Sequence, residues 1–320
     1  MPVPNIHSSN SRCICCGSTN GTLLYNDCDD YITGHTFSLY RCNDCAAVFT
    51  DPAPTNLESY YPSEYRQYGK FTMRVIAFLY SQQAKKWTRK MGQSSPHSLL
   101  EIGCGPGIML NEFKKLGWDT VGLERSEEMA IQARETYDID VKSGDLSQLG
   151  TSKKFDLIIL YNVLEHLTDP LVTLSECSKR LKPDGLVLIT VPDFDSWQRI
   201  FGGKNWLHLD VPRHLCHFDK SSISNISRRA NLQISGVHAS SLVHDFYGWL
   251  ETTISMMGFG RNIITTWLSG IQKPIFARIF AISVAPIISL LALPLVFLSI
   301  IFRKSALLEF SLKLPNNKFF

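Results

Sequence analysis

A short glycine-rich segment has the residue types and spacing of a turn that binds a small molecule. Gly103, Gly105 and Gly107 alternate along the chain directly after an apolar run at residues 98–102. Because glycine has no side chain, such a turn lets backbone N–H groups approach a bound ligand closely. The dinucleotide fingerprint spaces its glycines as G-x-G-x-x-G, whereas this chain reads E-x-G-x-G-x-G. The spacing favours another ligand, and a generic dinucleotide turn remains the alternative.

Three carboxylates accompany the turn and indicate the charge of that ligand. Glu101 lies inside the strand that leads into the turn, where it would repel a pyrophosphate but attract a sulfonium and an amino group. Glu124 ends the next predicted strand, where an acid can accept hydrogen bonds from both ribose hydroxyls. Asp145 follows Gly144, at a point where an acid could bind an adenine amino group. The three acids favour a cationic nucleoside.

These residues lie on a predicted α/β framework. Residues 96–245 alternate short apolar runs with helical patterns, which is typical of a parallel sheet covered by helices. The predicted strands are residues 98–102, 120–123, 140–142, 155–160, 186–191 and 233–237, with a last strand at 306–312. The predicted helices are residues 71–91, 108–116, 126–137, 171–181 and 221–230. Since ligands of open α/β sheets bind beyond the carboxyl ends of the strands, we expect the turn and the acids at one edge.

The ordered series of motifs resembles the class I S-adenosylmethionine-dependent methyltransferases. The series runs E-I-G-C-G-P-G, Glu124, S-G-D, F-D-L-I-I-L-Y-N-V-L-E-H-L and L-K-P-D-G, within roughly residues 96–240. The resemblance implies a Rossmann-like sheet of seven strands and S-adenosylmethionine as cofactor. It also implies that the glycines hold the methionine part, that Glu124 holds the ribose and that Asp145 holds the adenine. The expected cofactor-binding residues are Glu101, Gly103, Gly105, Gly107, Glu124, Asp145 and Asn162.

The fourth predicted strand runs into polar residues that we expect near the transferred methyl group. Methyl transfer from a sulfonium is an in-line displacement that needs an aligned nucleophile, and often a base when the nucleophile is oxygen or carbon. Asn162, Glu165 and His166 follow this strand. Family members that act on quinone precursors carry a similar acid–histidine element, which can hold a divalent metal. Asn162 stands where a carboxylate would help most, which argues against a catalytic metal. A helix-cap and packing role for Glu165 and His166 is the alternative.

A histidine-rich loop after the fifth predicted strand is a second candidate for chemistry. It reads W-L-H-L-D-V-P-R-H-L-C-H-F over residues 206–218, and such a loop on a rigid scaffold is a site candidate. It resembles the P-R-H-L-x-H-F segment of envelope-associated methyltransferases, which faces the substrate pocket. We therefore predict His214 as base or substrate ligand, supported by His217 and Arg213, with His166 as the further catalytic candidate. The alternative is a structural histidine pair that caps the next helix.

Cysteine spacing predicts a zinc site near the N-terminus. Residues 1–10 are polar, so we expect no signal peptide and reduced thiols in the cytoplasm. Cys13-x-x-Cys16 and Cys42-x-x-Cys45 suit a structural Zn²⁺ with four sulfur ligands. The segment resembles the zinc ribbon that precedes the methyltransferase domain in some bacterial sugar and envelope enzymes. Unrelated free thiols are the alternative.

Two other cysteines of this region are left out of the predicted site. Cys16-Gly17 matches the usual C-x-x-C-G knuckle, so Cys15 is not taken as a ligand, and Cys28 has no partner at the required spacing. Ala46 stands where the second knuckle commonly has glycine.

A long apolar segment follows the predicted sixth strand. Residues 279–302 are 24 residues without a charge, and a helix of this length, about 36 Å, could cross a bilayer once. Pro286 and Pro294 would kink it. Because the predicted last strand comes afterwards, a single crossing would leave that strand on the wrong side. We therefore predict a hairpin that enters one leaflet and returns, with a first arm in residues 246–270. The flanking basic residues are Lys273, Arg278, Arg303 and Lys304.

Two alternatives for this segment are a helical dimerisation or lid insertion packed in water, and a true single span. The absence of charge counts against the first, and the position of the last strand counts against the second.

Taken together, the patterns predict five regions. These are a zinc ribbon (1–50), a helical linker or lid (51–95), a methyltransferase domain (96–245), a membrane-associated hairpin (246–303) and the last strand with a tail (304–320). A net charge of +3 without a concentrated basic face argues against a nucleic-acid partner.

The expected function follows from the resemblance. It is methyl transfer from S-adenosylmethionine, at the cytoplasmic face of a membrane, to a small-molecule or lipid-linked acceptor such as a lipid-linked sugar or other envelope intermediate. A quinone-type O-methyltransferase is one alternative. A non-catalytic zinc-ribbon binding module on a methyltransferase scaffold is the other.

Overall fold

The computed structural model describes residues 12–61, 70–92, 97–150, 152–239, 242–258, 260–268 and 275–315. The strands are β1 (Gly21–Asp29), β2 (Thr36–Cys42), β3 (Val48–Asp51), β4 (Ser98–Ile102), β5 (Asp119–Glu124), β6 (Asp140–Ser143), β7 (Phe155–Tyr161), β8 (Leu181–Pro192), β9 (Cys216–His217), β10 (Gln233–Ala239) and β11 (Leu307–Lys313). The α-helices are α1 (Lys70–Met91), α2 (Ile108–Lys114), α3 (Glu127–Tyr137), α4 (Pro170–Arg180), α5 (Trp197–Gly202), α6 (Lys220–Arg229), α7 (Leu242–Met256), α8 (Ile263–Leu268) and α9 (Ile275–Ile301).

The larger sheet confirms the predicted Rossmann-like methyltransferase fold. Its seven strands have the order β10-β11-β8-β7-β4-β5-β6. The pairs β4–β5, β4–β7, β5–β6 and β7–β8 are parallel, whereas β11 is antiparallel to both of its neighbours. Strand β4 is buried at every residue, because apolar side chains pack on both faces of a sheet of this kind. The carboxyl ends of β4, β5 and β7 therefore form the edge that carries the predicted cofactor residues.

The predicted start of the fifth strand was wrong. Residues 186–191 were predicted as the fifth strand after a K-P-D-G turn, but β8 already begins at Leu181. Leu181 pairs with Phe155, and the pairing resumes at Leu157 and Leu186 after an irregularity. The turn residues are thus an irregular insertion within the strand, which a search for helix-closing residues reads as a loop.

A smaller sheet joins the N-terminal cysteine segment (residues 12–51) to the histidine-rich loop (residues 206–218). Its strand order is β1-β2-β3-β9, and β9 comes from the loop, with Val48 opposite His217 and Phe49 opposite Cys216. Cys13 and Cys45 also belong to the apolar cluster that covers one face of the large sheet. The cysteine segment and the methyltransferase sheet therefore share a core.

Helices α7, α8 and α9 form an insertion whose two ends meet at the large sheet. Ala239, the last residue of β10, pairs with Leu308 of β11, and the Ala306 N–H donates to Asp245 Oδ1 of α7 at 2.7 Å. Among the described residues one helix, Ile282–Ile301 within α9, is long and apolar enough to cross a membrane by length and composition. The predicted flanking residue Lys273 lies outside the described residues.

Candidate functional site

The glycine turn between β4 and α2 requires glycine for two reasons. Gly103 and Gly107 have φ values of 69° and 77°, in the left-handed region that disfavours side chains. A Cβ on Gly103 would lie 2.6 Å from Val163 Cγ2, and one on Gly107 would lie 2.4 Å from Ile139 Cδ1. The Gly103 N–H donates to the Leu123 carbonyl at 2.7 Å. Close packing and backbone geometry thus hold the turn against the ends of β5 and β7.

Glu124 lies against this turn at the end of β5. Its Oε2 accepts from the Gly105 N–H at 2.8 Å and its Oε1 accepts from the Ser126 N–H at 2.9 Å. The Gly144 N–H donates to the Glu124 carbonyl at 2.8 Å, which brings the segment of Asp145 beside it. The structure thus brings together the turn and the two acids that were predicted to hold a nucleoside.

Glu101 is the most perturbed acid of this group. It is 4% exposed, and its Oε2 has no hydrogen-bond partner among the described residues. Burial, reinforced by the charge of Glu124, raises the pKa of Glu101 to about 8. A buried carboxyl with an open oxygen beside a glycine turn fits a ligand that brings a positive charge.

Asp145 and Asn162 flank the same edge in different ways. Asp145 accepts from the Ser147 N–H at 2.8 Å, and its hydrogen bonds to Ser147 lower its pKa. Asn162, directly after β7, has a φ of 52°. Its backbone N–H donates to the Thr190 carbonyl at 2.9 Å, while its buried Oδ1 has no partner among the described residues.

The histidines predicted in two separate segments lie together beyond β7. The rings of His166 and His214 are 4.7 Å apart in an edge-to-face arrangement. His166 follows Val163, the residue that contacts Gly103, so this pair is connected to the glycine turn through one short segment. Glu165, His166 and His214 each bring one ligand atom to within 4.8 Å of the others, a grouping that can hold a metal ion.

Backbone carbonyls set the tautomers of both rings. His166 Nδ1 is 2.8 Å from the Arg213 carbonyl, and His214 Nδ1 is 2.8 Å from the His208 carbonyl. Because a carbonyl oxygen only accepts, each Nδ1 is a protonated, donating nitrogen. Tyr61 Oη also approaches His166 Nδ1, at 3.1 Å. Both rings are therefore oriented through their Nδ1 atoms.

Arg213 holds the loop from inside the protein. The side chain is fully buried, and it donates from Nε to Asp210 Oδ1 at 2.8 Å and from Nη2 to Asp30 Oδ1 at 2.6 Å. Its Nη1 donates to the Tyr60 carbonyl at 3.0 Å. Burial alone would raise the pKa of Asp210, but the charge of Arg213 holds that pKa far below its usual range. Arg213 thus has the contacts of a support for the loop that carries His214.

His217 is a neutral neighbour of the pair. It is 2% exposed, and burial, reinforced by nearby His214, lowers its pKa to about 3. Its ring lies 6.0 Å from that of His214. A backbone hydrogen bond with Leu209 acts in the opposite direction and partly offsets this lowering of the His217 pKa.

Several contacting residues were missed in the sequence. The Thr50 hydroxyl donates to the His214 carbonyl at 2.8 Å, and Asp30, Tyr61 and His208 make the contacts given above. Thr50, Asp30 and Tyr61 lie in other segments and match no motif, whereas His208 lies in the histidine-rich loop but was not singled out there, so only the three-dimensional contacts identify these residues.

The four predicted cysteines lie together in the N-terminal segment. Cys13 Sγ is 3.7 Å from Cys45 Sγ, and Cys16 Sγ is 3.5 Å from Cys42 Sγ. All four sulfurs lie within 4.8 Å of one another. A tetrahedral zinc ion with Zn–S bonds of about 2.3 Å places its sulfurs about 3.8 Å apart. The donor set and its spacing fit such an ion.

A family comparison agrees with this geometry. Residues 74–236 match a family model described as a methyltransferase domain. The chain belongs to the S-adenosylmethionine-dependent methyltransferases. This match spans the turn, the acids and most of the large sheet, so the expected cofactor and reaction type are confirmed.

Curated relatives of this methyltransferase are named ubiquinone biosynthesis O-methyltransferases. The protein from Rhodopseudomonas palustris (strain HaA2) is 25% identical over 155 residues, which cover 45% of this chain and 61% of the relative. The protein from Actinobacillus pleuropneumoniae serotype 7 is 27% identical over 177 residues, covering 49% of this chain and 75% of the relative. The chain thus spans less than two thirds of the first of these relatives.

Solved structures show similar folds at low identity. A methyltransferase from Clostridium acetobutylicum has 12% identity and a TM-score of 0.46, with 75% of this chain and 92% of that chain covered. The mitomycin 7-O-methyltransferase has 18% identity and a TM-score of 0.44, with 52% of this chain and 51% of that chain covered.

Proposed function

We propose that this methyltransferase modifies a hydroxyl group of a membrane-proximal acceptor bound at His166 and His214. The paired imidazoles carry this proposal, because their rings lie 4.7 Å apart and backbone carbonyls hold both Nδ1 atoms in place. His166 follows Val163, the residue that packs against the glycine turn at Gly103. The relatives named as O-methyltransferases support an oxygen acceptor.

The cofactor would be held by the acids and glycines of the edge. The buried Glu101 carboxylate would face its ammonium or sulfonium charge, Glu124 its ribose and Asp145 its adenine. The backbone of Gly103, Gly105 and Gly107 would line its methionine part, and Asn162 would lie near the reacting methyl. When bound, S-adenosylmethionine supplies an activated methyl group on sulfur.

The histidines would then prepare the acceptor oxygen. His214 would accept the hydroxyl proton as the oxygen–methyl bond forms and would become cationic, and the ring would return to its neutral form by releasing that proton to solvent. His166 lies edge to face with it and orients the same oxygen. Arg213 and His217 support the loop, Arg213 through Asp30 and Asp210. These roles need no charged acceptor, which suits a sugar hydroxyl or a phenol.

The helical insertion supports an acceptor at a membrane. One face of α9 packs on α7 through Ile288, Ala292 and Val296. The opposite face is apolar and exposed; it includes Ile287, Leu290, Leu291, Phe297 and Ile301. Such a continuous apolar surface is typical of membrane contact. The chain leaves the large sheet at the end of β10 and returns to it at the start of β11, and these two strands are paired. We therefore infer a monotopic hairpin at the cytoplasmic face.

A location at the membrane surface supports a choice of acceptor class. We propose a lipid-linked sugar or another envelope intermediate, with the methyltransferase sheet, the structural Zn²⁺ site and the hairpin as parts of an envelope enzyme. The names of the relatives favour a second candidate, a quinone precursor. The intact turn and acids argue against a non-catalytic scaffold.

Methyl-labelled S-adenosylmethionine and membrane extracts test this proposal. Purified enzyme is incubated with separated glycolipid, quinone and protein fractions, and the labelled product is identified by mass spectrometry. We expect label in the glycolipid fraction, with a reduction of about 100-fold or more in His214→Ala, as is typical for loss of a general base. Label in the quinone fraction establishes the second candidate. If the wild-type protein binds no S-adenosylmethionine in calorimetry, the non-catalytic scaffold is the one remaining hypothesis.

The same assay separates base catalysis from metal catalysis. A divalent ion at Glu165, His166 and His214 would supply Lewis-acid activation of the acceptor oxygen. We expect turnover that is independent of added Mg²⁺ or Mn²⁺ and follows the ionisation of a histidine. Turnover that requires either ion contradicts the base assignment.

A further inference from the structure

Two cysteines outside the zinc site form a buried thiol pair. Cys15 Sγ lies 2.7 Å from Cys216 Sγ, and both side chains are about 1% exposed or less. Cys15 belongs to the N-terminal cysteine segment, whereas Cys216 lies in β9, and 201 positions separate them in the chain. The four predicted zinc ligands lie in the contacts Cys13–Cys45 and Cys16–Cys42, and Cys15 and Cys216 are outside that set.

The backbone on both sides of the pair is fixed by hydrogen bonds. Cys216 lies opposite Phe49 in the β3–β9 pairing, and the Thr50 N–H donates to the Leu215 carbonyl at 3.0 Å. On the other side, the Gly17 N–H donates to the Cys13 carbonyl at 2.7 Å, closing the turn that contains Cys15. Since a disulfide has an S–S bond of about 2.04 Å, the two sulfurs need to approach by only about 0.7 Å.

We propose that Cys15 and Cys216 are a redox site that forms an intramolecular disulfide with a peroxide. One thiol attacks the peroxide O–O bond, which gives a sulfenic acid and one water. The second thiol then attacks the sulfenic sulfur, so that the S–S bond forms and a second water leaves. Overall, two thiols lose two hydrogens and hydrogen peroxide is reduced to two waters.

The bond would connect the cysteine segment covalently to the histidine-rich loop that carries His214. Cys216 is two residues from His214, and displacement of a catalytic group by about 1 Å can reduce a rate by about 100-fold. We expect the oxidised enzyme to turn over about tenfold more slowly, with cofactor affinity changed less than twofold. This effect on rate, unlike the bond itself, rests on the proposed role of His214.

Peptide mapping of the zinc-loaded, full-length protein tests the bond directly. The protein is treated with one equivalent of hydrogen peroxide, unfolded in the presence of an alkylating reagent and digested with trypsin without reduction. Residues 13–41 and 214–220 are then the two peptides that carry the pair. We expect them to be linked, with the link lost on reduction. Cys177, buried in α4, should be recovered as an alkylated thiol in the same sample.

Matched variants assign the link to Cys15. The peptide 13–41 also carries Cys13, Cys16 and Cys28, so Cys15→Ser should abolish the link while Cys28→Ser keeps it. Recovery of Cys15 and Cys216 as alkylated thiols in the oxidised wild type overturns the proposal, as does a link that persists in Cys15→Ser. The wild-type measurement stands even if a variant folds poorly. A fully active His214→Ala would refute the proposed function and leave the bond unaffected.

Discussion

Cofactor binding should release a proton from Glu101. Burial and the charge of Glu124 raise the pKa of Glu101 to about 8. In the ligand-free protein at pH 7 about nine molecules in ten therefore hold this carboxyl in its neutral form. A cationic ligand stabilises the ionised form, so binding must be accompanied by ionisation.

The structure sets the size of this effect. Each pH unit below 8 reduces the ionised fraction about tenfold, so the Kd for S-adenosylmethionine should fall about tenfold between pH 6 and pH 7. The increase in affinity for S-adenosylmethionine should end near pH 8, where the α-amino group of the ligand itself begins to lose its proton. Calorimetry in buffers with different ionisation enthalpies should count about 0.9 protons released at pH 7.

Glu101→Gln tests the assignment, because it keeps the shape of the side chain and removes its charge. The variant should lose the pH dependence and bind about 10- to 100-fold more weakly at pH 8, since a hydrogen bond to a charged group contributes about 1.5–3 kcal/mol. Glu127→Gln is the matched control, an exposed acid at the start of α3, and it should keep the wild-type slope. A wild-type Kd that is flat from pH 6 to pH 8 would refute the reasoning.

Four further predictions concern the loop, the zinc site and the membrane surface. His214→Gln should lower kcat at least 100-fold with unchanged S-adenosylmethionine affinity in calorimetry; an unchanged kcat contradicts its role as base. Arg213→Met should cost about 3–5 kcal/mol in urea unfolding at pH 7, because it leaves two buried carboxylates without their cation. The stabilisation contributed by ionised Asp210, whose pKa is depressed in the folded protein, is fully present above the pKa of an unfolded aspartate. It is lost as the pH falls through the lower pKa of the folded state. Purified protein should contain one zinc per chain, and Cys13→Ser should lower both zinc content and Tm; a zinc-free wild type with the same Tm argues against the site. Leu291→Glu should reduce binding to phosphatidylglycerol vesicles without changing Tm, whereas Ile288→Glu, on the buried face of α9, should lower Tm.

Local patterns were sufficient for most of the sheet and for the cofactor edge. The apolar runs of β4 and β7, the alternating glycines and the acid at the end of β5 are all short-range features. The backbone conformations at Gly103 and Gly107 require glycine, so the sequence marks this turn directly. The start of β8 was missed because its strand contains residues that ordinarily end helices.

The arrangement of the two histidines could be predicted only in part. His166 and His214 were chosen from separate motifs, but their pairing depends on the Arg213 and His208 carbonyls, which no motif specifies. Asp30 and Thr50 lie in the cysteine segment and still contact the loop that carries Arg213 and His214. Long-range strand pairing between β3 and β9 produces these contacts, and it has no local pattern in the sequence.

By itself, the sequence determined the α/β fold, the reaction family and the two cysteine pairs, because periodicity, glycine conformation and ligand spacing are properties of neighbouring residues. Only the tertiary structure decided that the cysteine segment packs on the loop that carries His214. It also decided that Glu101 is buried with an open oxygen, that the apolar insertion begins and ends at the same place on the sheet, and that Cys15 meets Cys216. These features depend on which distant segments pack together, and burial and packing act through space rather than along the chain.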